Sequence, residues 1–175
     1  MKEKEVVLKS KIVYQGLVVD IRHDQVLVAE SKQQREVIVH PGGVCILALN
    51  ENDEVLVVEQ FRAGAQQFLI ELPAGKNEIN EISLVTAQRE LLEETGYQAK
   101  KWQDFGIFYP SPAILDEVIH FYIATDLTYQ KPYLDDGEFL ESYFLPLKTL
   151  KKMILKDEII DGKTIAFLLK YLSSR

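Results

Sequence analysis

The sequence predicts an α/β sandwich in which helices cover a mixed β-sheet, preceded by a small antiparallel sheet. Roughly the first 40 residues alternate apolar and polar positions, which is typical of half-buried strands. One strongly periodic helical segment lies at mid-chain and two more lie near the C-terminus, with further strand patterns between them. Strands and helices do not alternate regularly, so a doubly wound parallel fold is disfavoured.

The N-terminal part of the chain carries most of the strand signals. Four strands separated by polar or glycine-containing turns are predicted, at residues 11–14, 17–22, 25–29 and 35–40. Two apolar runs then predict a hairpin, and a third short strand leads into a loop of about eight residues. These three segments span residues 44–49, 55–61 and 68–72. We therefore divide the chain into a β-sheet extension, residues 1–41, and a main domain, residues 42–175.

Residues 83–95 form the most regular helical pattern. Its predicted buried face carries five apolar side chains: Leu84, Val85, Ala87, Leu91 and Leu92. Gly96 follows directly and is a natural stop, because glycine readily adopts the left-handed conformation that ends many helices. Later segments are predicted as strands at residues 102–108, 118–123 and 141–145, and as helices at residues 147–155 and 163–172.

Composition excludes several classes of protein. Hydrophobic residues make up 47% of the chain, enough for a sizeable core, yet no stretch approaches the ~18 apolar residues of a spanning helix. The net charge of -7 disfavours nucleic acid and anionic membranes as partners. The N-terminus carries no leader pattern and Cys45 is the single cysteine, so we expect a cytoplasmic protein whose thiol is inert packing.

One face of the mid-chain helix is acidic. Glu90, Glu93 and Glu94 share an arc of roughly 100°. A solvated charged face would favour opposite charges four residues apart, but the only basic residue in the helix is Arg89, whose pair with Glu93 has the weaker orientation. Glu93 and Glu94 also lie in the last turn, where the helix dipole disfavours anions. We therefore favour a metal site, and carboxylate oxygens select Mg²⁺ or Mn²⁺ rather than zinc.

The same segment carries a longer pattern. Gly75 is followed after five residues by Glu81, and after seven more by Arg89-Glu90-Leu91-Leu92-Glu93-Glu94-Thr95-Gly96-Tyr97. This resembles the signature of the Nudix hydrolase family, with Tyr97 replacing the usual aliphatic residue at the last position. The resemblance implies a Nudix fold and the hydrolysis of a nucleoside diphosphate linked to another moiety. It also implies that Glu90, Glu93 and Glu94 bind the metal, while Glu81 and Arg89 brace the loop against the helix.

The flanking segments are similar to the ADP-ribose pyrophosphatase subfamily. The similarity lies in residues 35–43, 57–62, 71–75, 111–112 and 157–164. Pro112 stands sixteen residues beyond Gly96, the spacing of that subfamily, although Ala113 replaces the usual glycine after it. The resemblance implies that ADP-ribose is hydrolysed to AMP and ribose 5-phosphate. It also implies a homodimer with exchanged N-terminal sheets.

The subfamily resemblance assigns further roles to single residues. Glu138 is the first choice for the catalytic base, followed by Glu117 and by Glu94 of the helix. The carbonyl of Ala74 completes the metal shell. The implied substrate-binding residues are Arg35, Arg62, Glu71 and Pro112. Considered without the resemblance, Glu117 and Glu138 also fit solvated or lysine-paired carboxylates, and the arginines fit surface salt bridges equally well.

Two alternatives remain open on the sequence alone. In the first, the chain is an enzyme whose substrate is another nucleoside diphosphate sugar, such as a GDP-hexose, because loops of unknown shape contact the base and the sugar. Outside enzymes, the chain is a sensor that binds a nucleotide sugar without cleaving it. A sensor would tolerate loss of the helix carboxylates, whereas this chain keeps all of them.

Overall fold

The computed structural model describes residues 3–131 and 139–175 and divides the chain into two compact units. The first unit comprises Met1–Gly42 together with Tyr109–Val118, and the second comprises Gly43–Phe108 together with Ile119–Arg175. The linear division at residue 41 did not anticipate that residues 109–118 would belong with the N-terminal sheet.

The first unit is built on three antiparallel strands in the order β1-β2-β3: β1 (Val6–Gln15), β2 (Asp20–Val28) and β3 (Ser31–Val39). The small N-terminal sheet is thereby confirmed, but the turn predicted between residues 22 and 25 is wrong. The chain continues there as β2. Asp24 is buried and is paired with Arg22 at 3.0 Å, so its charge is compensated without contact with solvent. Leu17 and Val18 lie instead in the β1–β2 turn.

Residues 109–118 are bonded along the last strand of this sheet. The N–H of Ile38 donates to the carbonyl of Ile114 at 2.7 Å, and the N–H of Asp116 donates to the carbonyl of Ile38 at 3.1 Å. The carboxylate of Asp116 also accepts the backbone N–H of His40, at 2.9 Å. Paired backbone groups on both sides fix the course of the loop relative to β3.

The second unit holds two sheets and three helices. Its elements are β4 (Gly43–Ala48), β5 (Glu54–Arg62), β6 (Gln67–Glu71), β7 (Ala74–Lys76), α1 (Ser83–Thr95), β8 (Tyr97–Phe108), β9 (Ile119–Tyr129), β10 (Leu140–Pro146), α2 (Leu147–Leu155) and α3 (Gly162–Ser173). One sheet has the order β7-β4-β9-β8, with β4 and β9 parallel, and the other is antiparallel in the order β10-β5-β6. The predicted mixed sheet is therefore present.

The hairpin predicted from β4 and β5 is wrong. The two strands share one isolated bridge, Leu49 to Val55, and otherwise belong to different sheets. Both edges of β4 are occupied, by β7 and by β9, so no edge remains for β5. Short connections between apolar runs favour hairpins, and here the tertiary pairing overrides that preference.

The strand β4 is buried on both faces and separates two apolar clusters. Cys45, Leu47 and Leu49 pack in a cluster with residues of α2 and α3, whereas Val44, Ile46 and Ala48 pack with α1. Helices therefore cover both sides of this strand, which confirms the predicted α/β sandwich. Cys45 is fully buried, as expected, and burial raises the pKa of its thiol, which makes it unreactive.

Helix α1 has the predicted bounds, and its C-terminal stop is confirmed. Gly96 has a φ of 73° and donates its N–H to the carbonyl of Leu92 at 2.8 Å. The predicted burial of Val85 is wrong, because its residue surface is 48% exposed. The buried stripe follows Ala87, Leu91 and Glu94 instead, so the helix is rotated towards its acidic side.

Candidate active site

The segment before β7 is held by three backbone hydrogen bonds. Leu72 donates to the hydroxyl of Thr164 at 2.9 Å, and Ala74 donates to the carboxylate of Glu94 at 3.2 Å. The carbonyl of Pro73, between them, accepts the N–H of Ile46 at 2.8 Å. The turn is thereby fixed to α3, to α1 and to β4 at successive residues.

Glu94 is the most buried of the three helix carboxylates that the sequence singled out. It is 8% exposed and lies next to Ala74, whose N–H it accepts. A buried carboxylate requires hydrogen bonds or a cation to offset its lost hydration. Its position places a carboxylate oxygen beside the backbone from which the sequence analysis expected a carbonyl ligand.

Gly75 leaves room for the side chain of Glu90. A Cβ atom at this position would lie 1.9 Å from Cδ and 2.0 Å from Oε1 of Glu90. No side chain fits at that distance, so glycine is required if the Glu90 carboxylate is to occupy this place. The pairing of Gly75 with Val44 holds this part of the backbone in the sheet.

Arg89 joins the loop to the acidic face of α1. Its Nη1 contacts Glu90 at 2.9 Å and Glu93 at 2.8 Å, and its Nη2 contacts Glu81 at 3.0 Å. Nη2 also donates to the carbonyl of Lys76 at 3.2 Å. The guanidinium offsets one of these three carboxylate charges and joins three segments of the chain, which are β7, the loop and α1.

Glu81 is fixed by contacts from both ends of the loop. Its carboxylate accepts the Thr86 hydroxyl at 2.8 Å and the backbone N–H of Glu78 at 3.2 Å. The Arg89 guanidinium, helped by these two donors, lowers the pKa of Glu81 to about 2. Glu81 is therefore ionised at any pH well above about 2.

This pKa predicts how Glu81→Gln changes acid stability. The folded pKa lies below the ordinary value of 4.5, so ionised Glu81 stabilises the fold above about pH 4.5 and loses that effect as the pH falls towards about 2. We expect the free energy of unfolding, measured in urea, to fall less steeply with acid in the variant than in wild type. Glu51→Gln, at an exposed turn, is the control. Parallel curves for wild type and Glu81→Gln would contradict the prediction.

The donor set fits a divalent cation by its chemistry. The three helix carboxylates and the backbone carbonyl of Ala74 are oxygen donors of the kind that Mg²⁺ and Mn²⁺ prefer. Across residues 3–131 and 139–175, no three His, Cys, Asp or Glu side chains stand as a ready-made metal cluster. Glu90 and Glu93 are turned towards Arg89.

A second group of charges lies on the strands that lead into the site. Arg62, on β5, holds the carboxylate of Glu71 with two hydrogen bonds, at 2.7 and 2.8 Å. Glu71 is 1% exposed and is also bonded to Lys163. Burial alone would raise the pKa of Glu71, but Arg62 and Lys163 outweigh it and the pKa is lowered. The charged form of Glu71 is thus the stable one.

Three of the remaining predicted site residues lie in the first unit, and the fourth lies outside the described residues. Arg35, on β3, is paired with Glu5. Pro112 is exposed in the loop, and Glu117 lies 3.3 Å from Nδ1 of His40. Glu138 lies outside the described residues.

Sequence reasoning missed Lys163, Thr164 and Asp161 as individual contributors. Asp161 caps α3, accepting the N–H of Thr164 at 2.9 Å, and Lys163 follows it in the first turn. The sequence signal was the Asp-Gly-Lys-Thr run at residues 161–164, since aspartate before a helix is a typical cap. Nothing in that run indicates that its partner is Glu71, 92 residues away.

Comparisons with known proteins agree with the fold and with the Nudix signature. The sequence model of the NUDIX domain matches residues 39–168, so the chain belongs to the Nudix family and is a Nudix hydrolase. It is 37% identical over 173 residues to the ADP-ribose pyrophosphatase of Bacillus subtilis (strain 168), covering 97% of this chain and 92% of the relative.

Two further likenesses are more distant. The GDP-mannose pyrophosphatase of Salmonella paratyphi B is 35% identical over 153 residues, covering 82% of this chain and 79% of the relative. A crystal structure of an ADP compounds hydrolase superposes with a TM-score of 0.85 at 17% identity, covering 97% and 93% of the two chains. The latter supports the fold. No helix among the described residues is long and apolar enough to cross a bilayer.

Proposed function

We propose that this Nudix hydrolase cleaves the diphosphate bond of ADP-ribose with Mg²⁺ or Mn²⁺, giving AMP and ribose 5-phosphate. The observation that carries the proposal is that two α1 carboxylates lie against the Ala74–Gly75 backbone, since Glu94 accepts the N–H of Ala74 and Glu90 lies beside Gly75. The near full-length likeness to an ADP-ribose pyrophosphatase supports the choice of substrate. Water supplies the oxygen that is added at phosphorus, so the two phosphate monoesters account for all atoms of substrate and water.

GDP-hexose is the second candidate substrate. It is favoured by the likeness to a GDP-mannose pyrophosphatase, which covers less of this chain. The purified protein should be incubated with Mg²⁺ and each of ADP-ribose, GDP-mannose and other nucleoside diphosphate sugars, and the products separated by chromatography. ADP-ribose should give the highest kcat/KM. Binding without turnover of any sugar would instead indicate the non-catalytic sensor.

We assign the residues of the site to metal binding, to diphosphate binding and to further contacts with the substrate. Glu90, Glu93 and Glu94, with the carbonyl of Ala74, would hold the metal. A divalent cation held there would supply charge neutralisation at the diphosphate and would help to activate the attacking water. Arg62 would donate N–H groups to the diphosphate. Arg35, Glu71 and Pro112 complete the substrate-binding residues of the proposal, and the buried position of Glu71 supports an indirect role.

We propose Glu138 as the base that takes the proton of the attacking water. Glu138→Gln should lower turnover by at least about 10²-fold with little change in metal affinity, because a neutral amide cannot accept that proton. Glu117→Gln should have a smaller effect, since Glu117 then orients substrate. Turnover with Mg²⁺ and metal binding by calorimetry measure the two quantities. Wild-type rates for Glu138→Gln would move the base to Glu117 or Glu94.

We further propose a cytoplasmic homodimer joined through the N-terminal sheet. Every residue of β1 is exposed in the single chain, including the apolar residues Val6, Val7, Leu8 and Tyr14. A strand with this much exposed apolar surface is favoured at an interface. Light scattering after gel filtration should give twice the mass of one chain, and replacing Val7 and Leu8 with lysine should halve it. A monomeric wild type would contradict the dimer.

A further inference from the structure

Arg62 has part of its guanidinium committed to the protein and part available. Nε and Nη2 each bond one oxygen of Glu71, at 2.7 and 2.8 Å, which fixes the plane of the group. Its side chain is nevertheless 39% exposed, whereas Glu71 is buried. An arginine guanidinium has five N–H donors, so the bidentate bond leaves others to face outwards.

Behind Glu71 stands Lys163. Its ammonium group bonds Glu71 Oε2 on one side and Asp161 Oδ1 at 3.1 Å on the other. Lys163 is itself mostly buried, at the first turn of α3. A lysine in this setting is held at both sides and has little freedom to turn towards a ligand.

The same helix turn is tied to the strand that carries Glu71. Asp161 caps α3 through the N–H of Thr164, and the Thr164 hydroxyl accepts the N–H of Leu72, the residue after Glu71. Both the backbone and the carboxylate at the end of β6 are therefore fixed by α3. The line of contacts runs from Asp161 through Lys163 and Glu71 to Arg62, and only Arg62 is substantially exposed.

We propose that Lys163 is a positioning residue that acts through Glu71 to aim Arg62 at the diphosphate of the substrate. This inference rests on the proposed function, in which Arg62 contacts the diphosphate. Lys163 keeps Glu71 ionised and holds one of its oxygens, and Glu71 in turn fixes the guanidinium plane. Buried ion pairs are weak sources of stability compared with apolar packing. The two linked pairs of Lys163, Glu71 and Arg62 are therefore better explained by the orientation that they give to Arg62.

A double-mutant cycle tests the proposal. Lys163→Met, Arg62→Lys and the double variant are compared with wild type for ADP-ribose hydrolysis, and for calorimetric binding of the non-hydrolysable α,β-methylene analogue with Mg²⁺. Lys163→Met alone should raise KM and the dissociation constant by about tenfold, with a smaller change in kcat. In the Arg62→Lys background, where the bidentate bond is already lost, it should have almost no further effect. Lys163→Arg should restore much of the loss, and Lys151→Met, on the exposed face of α2, should match wild type.

The outcomes separate this inference from the proposed function. Equal losses in both backgrounds, or no loss at all, would overturn the positioning role while leaving the hydrolase intact. A wild type that neither binds nor cleaves ADP-ribose would overturn both. Circular dichroism monitors folding, and if Lys163→Met does not fold, Lys163→Gln takes its place in the cycle. In that variant the buried carboxylate of Glu71 keeps Arg62 as its partner.

Discussion

Replacing Glu93 or Glu94 with glutamine is expected to lower metal-dependent hydrolysis by at least about 10²-fold while the protein stays folded. Both changes remove a negative charge and keep the shape of the side chain. In Glu94→Gln, the amide oxygen can still accept the N–H of Ala74, so the local fold is preserved. In Glu93→Gln, one partly exposed ion pair with Arg89 is lost, and such pairs contribute about 1 kcal/mol or less.

The measurement is kcat with ADP-ribose over a range of Mg²⁺ concentrations, together with thermal unfolding. Glu158→Gln is a matched control, because this exposed glutamate lies in the turn between α2 and α3. Unchanged turnover in Glu93→Gln and Glu94→Gln would remove the metal site from α1. A large fall in melting temperature would instead give these carboxylates a structural task.

Local patterns predicted α1 well because its determinants are local. The apolar period and Gly96 fix both ends of the helix within a few residues of sequence. Which face is buried depends on what packs against the helix, and there the sequence was misleading. Glu94 is buried and Val85 is exposed, since the Ala74 backbone offers Glu94 a hydrogen-bond donor. A hydrophobicity pattern does not include that donor.

Pairing partners distant in sequence were the main source of error. The β4–β5 hairpin failed because β9, more than 70 residues further along the chain, occupies an edge of β4. The surroundings of Glu71 could not be predicted for the same reason, because its partner Lys163 is 92 residues away in the sequence. The residues of the Nudix signature could be recognised by their resemblance to the family pattern, because they all lie close together in the sequence, from Gly75 to Tyr97. The contacts that hold Arg62 could not be found in this way, because they join β5, β6 and α3.

Gly75→Ala is expected to lower turnover by about 10²-fold with little loss of stability, because it displaces one carboxylate. The added Cβ would lie 1.9 Å from Cδ of Glu90, so one of the two must move. The end of a glutamate side chain moves by rotating its torsions, whereas the backbone at Gly75 is paired with β4. Glu90 should therefore leave its place beside Gly75 and the strand pairing should survive.

Two glycine variants make this prediction specific. Gly64→Ala is the control, because a Cβ there meets no atom within 4 Å, and it should match wild type in both turnover and melting temperature. Gly43→Ala should instead lower the melting temperature, since its Cβ would lie 2.6 Å from the backbone carbonyl oxygen of Gly75. If Gly75→Ala acts through Glu90, adding it to Glu90→Gln should cause almost no further loss of turnover. Full activity in Gly75→Ala would mean that catalysis does not depend on where the Glu90 carboxylate lies.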